Sequence, residues 1–137
     1  MRRYLVVLIS AVGLSACLEN KPCPEMNFER LNQTNRIVIT DNMNKEIKTI
    51  TDLSRIGEIK NFALSHSTGW ETPWYGAPVA LVRANFYVGE KFIGDFGVGK
   101  NFLSAQGCGF FQSREVSAKD RETILGLFAV KDPYEGR

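Results

Sequence analysis

Residues 77–99 read APVALVRANFYVGEKFIGDFGVG, and this stretch decides the fold. Two apolar-rich runs flank Gly89 and Glu90. Along the first, Ala80, Val82, Ala84, Phe86 and Val88 fall on one side, and Arg83, Asn85 and Tyr87 on the other. Side chains alternate across a strand, so this spacing predicts a strand with one buried and one wetter side, as in an antiparallel sheet. On the return run Phe92, Gly94 and Phe96 oppose Lys91, Ile93 and Asp95. The stretch is therefore expected to form a hairpin turning at Gly89-Glu90.

Working outward, the chain upstream changes period twice. RIVITDN from Arg36 is β-branched, MNK breaks it, and EIKTI alternates, which predicts a second hairpin. TDLSRIGEIKNFALSH then places Leu53, Ile56, Ile59 or Lys60, and Ala63 at helical spacing, with Thr51 or Asp52 as N-cap and Gly69 and Pro73 as stops. Downstream, NFLSA and GFFQSREV supply one or two further strands. SAKDRETILGLFAV follows as a helix in which Ser117 and Asp120 approximate a capping box, and Ile124, Leu127 and Phe128 make the apolar stripe. The order β-β-α-β-β-β(-β)-α predicts an α+β fold: a single antiparallel sheet of about five or six strands with two helices packed on one face.

The N-terminus has a different character. Arg2 and Arg3 precede an eleven-residue uncharged run, YLVVLISAVGL, and then the small residues Ser15 and Ala16. This is the order of a secretory signal, and the run is shorter than the ~20 apolar residues a spanning helix needs. Leu14-Ser15-Ala16-Cys17 resembles the lipobox of bacterial lipoproteins at all four of its positions. The resemblance covers only the leader and Cys17. It implies cleavage after residue 16 and acylation of Cys17. Two or three acyl chains give durable anchoring where one gives marginal binding. In that family an Asp after the Cys tends to retain the protein at the inner membrane. Leu18 stands there instead, so the outer membrane, facing the periplasm, is the favoured location.

Removal of the leader leaves 121 of the 137 residues, the length of one domain. The expected division is a signal peptide over 1–16, a Pro-containing tether over 17–34, the α+β domain over 35–131 and a tail over 132–137. The leader holds two of the 17 basic residues and none of the 15 acidic ones, so the mature chain carries 15 of each and is formally neutral. A neutral chain without a basic cluster argues against a nucleic-acid partner. Beside Cys17 there are two cysteines, Cys23 and Cys108. An oxidising envelope favours a disulfide between them, closing 85 residues. Two independent thiols are the alternative. One His and two Cys do not make a usual metal set, and no metal or cofactor is expected.

Catalytic patterns are weak. His66 is flanked by Ser65 and Ser67, but adjacent helical residues do not face each other, and no G-x-S-x-G elbow is present. FGVGKN, residues 96–101, lacks phosphate-loop spacing and is read as a turn. Glu71, Glu90, Asp95, Glu115 and Asp120 could pair as glycoside hydrolysis requires, but nothing marks such a pair and most are read as solvated surface. No catalytic residue is assigned, and the chain is not expected to be an enzyme. The most suggestive segment is GWETPWYGAP, where Trp70, Trp74 and Tyr75 sit in a loop punctuated by Gly and Pro. Loop aromatics make contact area at low entropy cost, and they also serve to close small cores. Trp70, Trp74 and Tyr75, with Arg83 and Tyr87 on the adjoining sheet face, are the expected partner-binding residues. The reading is a lipid-anchored envelope module that binds a protein partner, as an inhibitor, an immunity factor or an accessory of an envelope complex. A small enzyme acting on envelope polysaccharide or peptidoglycan is the alternative.

Overall fold

A computed structural model describes residues 28–136 apart from 108 and 109. A 3-10 turn (Phe28–Gln33) leads into β1 (Arg36–Asp41) and β2 (Glu46–Ile50), then α1 (Leu53–Ser65). Strands β3 (Val82–Val88), β4 (Lys91–Val98), β5 (Phe102–Gly107) and β6 (Phe110–Glu115) follow, and α2 (Ala118–Phe128) closes the fold. The strands form one open antiparallel sheet in the order β2-β1-β3-β4-β5-β6. The protein is thus α+β, as the alternation and the change of period predict.

Register places Ile37 beside Phe86, Ile39 beside Ala84, Ala84 beside Phe96, and Phe96 beside Ala105. One face is therefore continuously apolar. Ile56, Ile59 and Phe62 of α1 and Ile124, Leu125 and Phe128 of α2 join it in a single core. Both helices start as their sequences ask. Asp52 caps α1 by accepting from the Arg55 N–H at 2.8 Å. Ser117 and Asp120 cap α2, the Ser117 hydroxyl accepting from the Asp120 N–H at 3.0 Å and donating to its carboxylate at 2.9 Å.

Two details of the central hairpin depart from strict alternation. A bulge on β4 pairs Tyr87 with Phe92 and Phe86 with Gly94, which leaves Ile93 as the extra residue. Phe92 therefore joins Tyr87 on the polar face, ring to ring at 5.7 Å, while Ile93 turns to pack against the core. Ala80 also leaves the expected row, because β3 begins only at Val82. It lies instead on the face opposite the helices, against Gly97 and Ser104.

The domain begins upstream of residue 35. Leu31 is a core residue and Thr34 is buried, so this end of the expected tether packs into the body. Cys17, Cys23 and Cys108, with the acylation and disulfide expected of them, lie outside the described residues.

Helix α2 ends in a Schellman arrangement. The Val130 N–H bonds the Leu125 carbonyl at 3.2 Å, and the Ala129 N–H bonds the Gly126 carbonyl at 3.0 Å. Ala129 sits there in the left-handed region, φ 54°, where a Cβ is unfavourable. Because Ala129 is exposed, Ala129→Gly is expected to stabilise the fold by about 0.5–1 kcal/mol, read as a higher urea midpoint at unchanged slope.

Candidate functional site

The link from α1 to β3 builds the site. At its start Trp70 packs edge-on against Phe96 at 6.0 Å, and its indole N–H donates to the His66 carbonyl at 2.7 Å. The next residue, Glu71, exchanges two backbone hydrogen bonds with Ser113 of β6, at 2.8 and 2.9 Å. This bridge occupies the outer edge of β6. The chain then turns through Gly76 at φ 101°, a conformation that favours glycine, and returns to the sheet where Ala80 meets Gly97 and Ser104. The link is thus pinned at both ends, with residues 72–79 standing proud between the pins.

The first of these pins separates the loop aromatics. Trp70 is a core residue and does not contribute to an outer surface. Trp74 is 94% exposed and Tyr75 68% exposed, their rings edge to face at 5.7 Å, and Val79 nearby is 65% exposed. An exposed Trp-Tyr pair on an anchored loop is an apolar contact surface already set in position.

Beneath the loop runs a cleft of about 660 Å³. Tyr75 and Pro78 line one side, and Phe102, Ser113 and Glu115 line the other, with Glu71, Asn101 and Arg114 completing it. Ser113 and Glu115 are two apart on β6 and so share a face, while Phe102 is Glu115's cross-strand partner on β5. Hence two of the five carboxylates singled out in the sequence, Glu71 and Glu115, meet at one cleft.

The other three have separate lives. Glu90 is in the β3–β4 turn, its carboxylate almost fully solvated at 3.5 Å from Arg36. Asp120 is the third residue of α2 and completes the capping box with Ser117. The Ser117 hydroxyl bond, followed by the neighbouring His66, holds its carboxyl below the ordinary range. Asp95 is buried on the polar face of the sheet with the Arg83 guanidinium 3.6 Å away. Burial pushes its carboxyl above the usual value, and Arg83 and the Gln106 backbone only partly counter this.

The raised Asp95 has a pH signature. A folded-state pKa above the unfolded value means the folded chain holds the proton longer, so stability contributed at low pH is lost as pH rises through the folded pKa. Asp95→Asn retains an acceptor for the Gln106 N–H and removes the charge. The variant is expected to match or exceed wild type in urea midpoint at about pH 7, and to lose that advantage at about pH 3. An Asn variant less stable than wild type at both pH values would contradict this account.

His66 sits at the C-cap of α1, stacked on Phe62 at 4.1 Å. Its Nδ1 lies 2.8 Å from the Phe62 carbonyl, which can only accept, so Nδ1 carries the proton. Ser65 Oγ is 3.0 Å from the same nitrogen and 2.7 Å from the same carbonyl, leaving it no free base to hand its proton to. The other nitrogen, Nε2, faces Asp120 at 3.6 Å. A Ser, a His and an Asp do meet in space, but the basic nitrogen faces the acid instead of the hydroxyl, the reverse of what nucleophile activation needs. The FGVGKN segment closes a tight turn, with the Gly99 N–H on the Phe102 carbonyl at 2.8 Å.

Of the two sheet residues expected at the surface, Arg83 lies near the point where the loop re-enters the sheet. Tyr87 lies farther along β3, roughly 13 Å away at ~3.3 Å per residue, between the Arg36 guanidinium, 4.4 Å from its ring centre, and Phe92. Tyr87 is therefore not part of the loop surface. Among the described residues no group of three or more His, Cys, Asp or Glu is placed to hold a metal ion. Asn101, Phe102, Ser113 and Arg114 carry no local signal in the sequence, since only the β5–β6 register and the Glu71 bridge bring them under the loop. Compared with protein-family models, curated proteins and solved structures, the chain matches none. The class defined by fold and site is therefore an α+β domain presenting one anchored aromatic loop over a mixed polar and aromatic cleft.

Proposed function

We propose that this chain is a non-catalytic binding module, held at the cell-envelope membrane by a lipid on Cys17, that recognises a protein partner through the Trp74–Tyr75 loop. The observation that carries the reading is the 94% exposure of Trp74 on a loop fixed at both ends. A large apolar ring left in water is a cost that a partner surface offsets, and a fixed loop loses little entropy on docking. The formal neutrality of the mature chain and its Cys17 leader fit an envelope role and give no support to nucleic-acid binding.

The test has two parts. Metabolic palmitate labelling and detergent partition should place wild type in the detergent phase, and Cys17→Ala in neither the labelled nor the detergent fraction. Affinity capture from envelope extract should then recover one discrete protein with wild type and lose it with Trp74→Ala. That substitution should leave thermal stability within about 0.5 kcal/mol, as expected of an exposed side chain. Capture unchanged by Trp74→Ala would remove the loop from the account.

The meeting of Glu71 and Glu115 at one cleft favours a second reading, a small enzyme acting on envelope polysaccharide. It predicts release of soluble sugars from purified envelope polymer by wild type and none by Glu71→Gln or Glu115→Gln.

A further inference from the structure

The cleft beneath the loop has a chemistry of its own, independent of whether Trp74 meets a protein. Its volume, about 660 Å³, falls within the range of small-ligand sites. Its walls combine rings with hydrogen-bonding groups: Tyr75 and Phe102 supply flat apolar faces, and Glu71, Asn101, Ser113 and Glu115 supply acceptors and donors. The frame is rigid on the β6 side. The Glu71 backbone is locked to Ser113, and the Val116 N–H bonds the Asn101 carbonyl at 3.1 Å.

This combination selects a ligand class. Two acidic residues against a single basic one, Arg114, disfavour an anion. The density of polar groups disfavours a wholly apolar ligand, which would leave them unpaired. A ligand with hydroxyls around its rim and C–H groups on its faces satisfies both kinds of wall at once. We infer that this cleft binds a short saccharide, stacked on Tyr75 with its hydroxyls bonded by Glu71 and Glu115. Binding needs neither bond cleavage nor the protein partner; it shares its cleft and ligand class with the polysaccharide reading, and the sugar-release assay above distinguishes binding from cleavage.

The probe is N-acetylated chitotriose, a neutral saccharide, titrated into the detergent-solubilised full chain and followed by saturation-transfer NMR. Saturation is expected on the sugar ring protons, with a dissociation constant on the order of 1 mM. Tyr75→Ala should weaken binding roughly tenfold through loss of the stacking face, and Glu71→Gln should weaken it through loss of a charged acceptor. Met43→Ala, at an exposed tip distant from the cleft, should change nothing. Circular dichroism melting checks that each variant is folded. No saturation at probe concentrations about tenfold above that constant overturns the inference, as does equal binding by folded Tyr75→Ala. A Lys-bearing tripeptide that binds where the sugar does not would assign the cleft to a basic peptide and overturn it equally.

Discussion

Phe96→Ala is expected to lower the unfolding free energy by about 3–5 kcal/mol, the range for deleting a large buried aromatic. Phe96 is 1% exposed on the apolar face of β4, a central strand. Phe62 of α1 meets its ring edge-on at 6.2 Å and Trp70 does so at 6.0 Å, so one ring joins the sheet, the first helix and the start of the α1–β3 link. Two such edge contacts add to the transfer loss, and the cavity left behind cannot collapse without moving a helix. A domain of this size has only about 5–15 kcal/mol in total, so the variant should sit near its unfolding threshold at 37 °C. Urea unfolding followed by circular dichroism checks the magnitude. A loss below about 1 kcal/mol would mean that Phe96 is not the joint described here.

Gly97→Val is expected to cost about 3 kcal/mol or more by the opposite mechanism, overpacking. A Cβ at residue 97 would fall on the Ser104 hydroxyl and come within 2.7 Å of the Ala80 Cβ. The Ser104 hydroxyl can rotate away, its Cβ lying 3.6 Å off, but the Ala80 Cβ has no rotamer to change, and Ala80, only 1% exposed, is the inner pin of the loop. Gly97→Ala should show a smaller version of the same effect, roughly 1–3 kcal/mol. Combining it with Ala80→Gly should recover part of the loss, because the two changes share one contact. Full additivity of the pair would contradict the placement of Ala80 over the sheet.

Much of this architecture was legible because period and capping are local. The switch from alternating to helical spacing at Thr51, the Asp52 and Ser117 caps, and the Gly89-Glu90 turn all follow from residues close in sequence. The bulge was not legible. Nothing in KFIGDF distinguishes a strand with Phe92 inward from one with Ile93 inward, since both are apolar and one residue of slip exchanges them. Trp70 and Trp74 were equally opaque. Four positions apart in one loop, they differ only because Trp70 precedes the Ser113 bridge and Trp74 follows it. The cleft depends on the same bridge, a contact across more than forty residues that no local pattern announces.

The loop's role can be tested in living cells by site-specific photo-crosslinking. A photoreactive residue at position 74 is compared with one at position 43, which is 78% exposed but lies in the β1–β2 turn. The account predicts a discrete protein adduct from position 74 and none from position 43. No adduct from either position, or the same adducts from both, would contradict it.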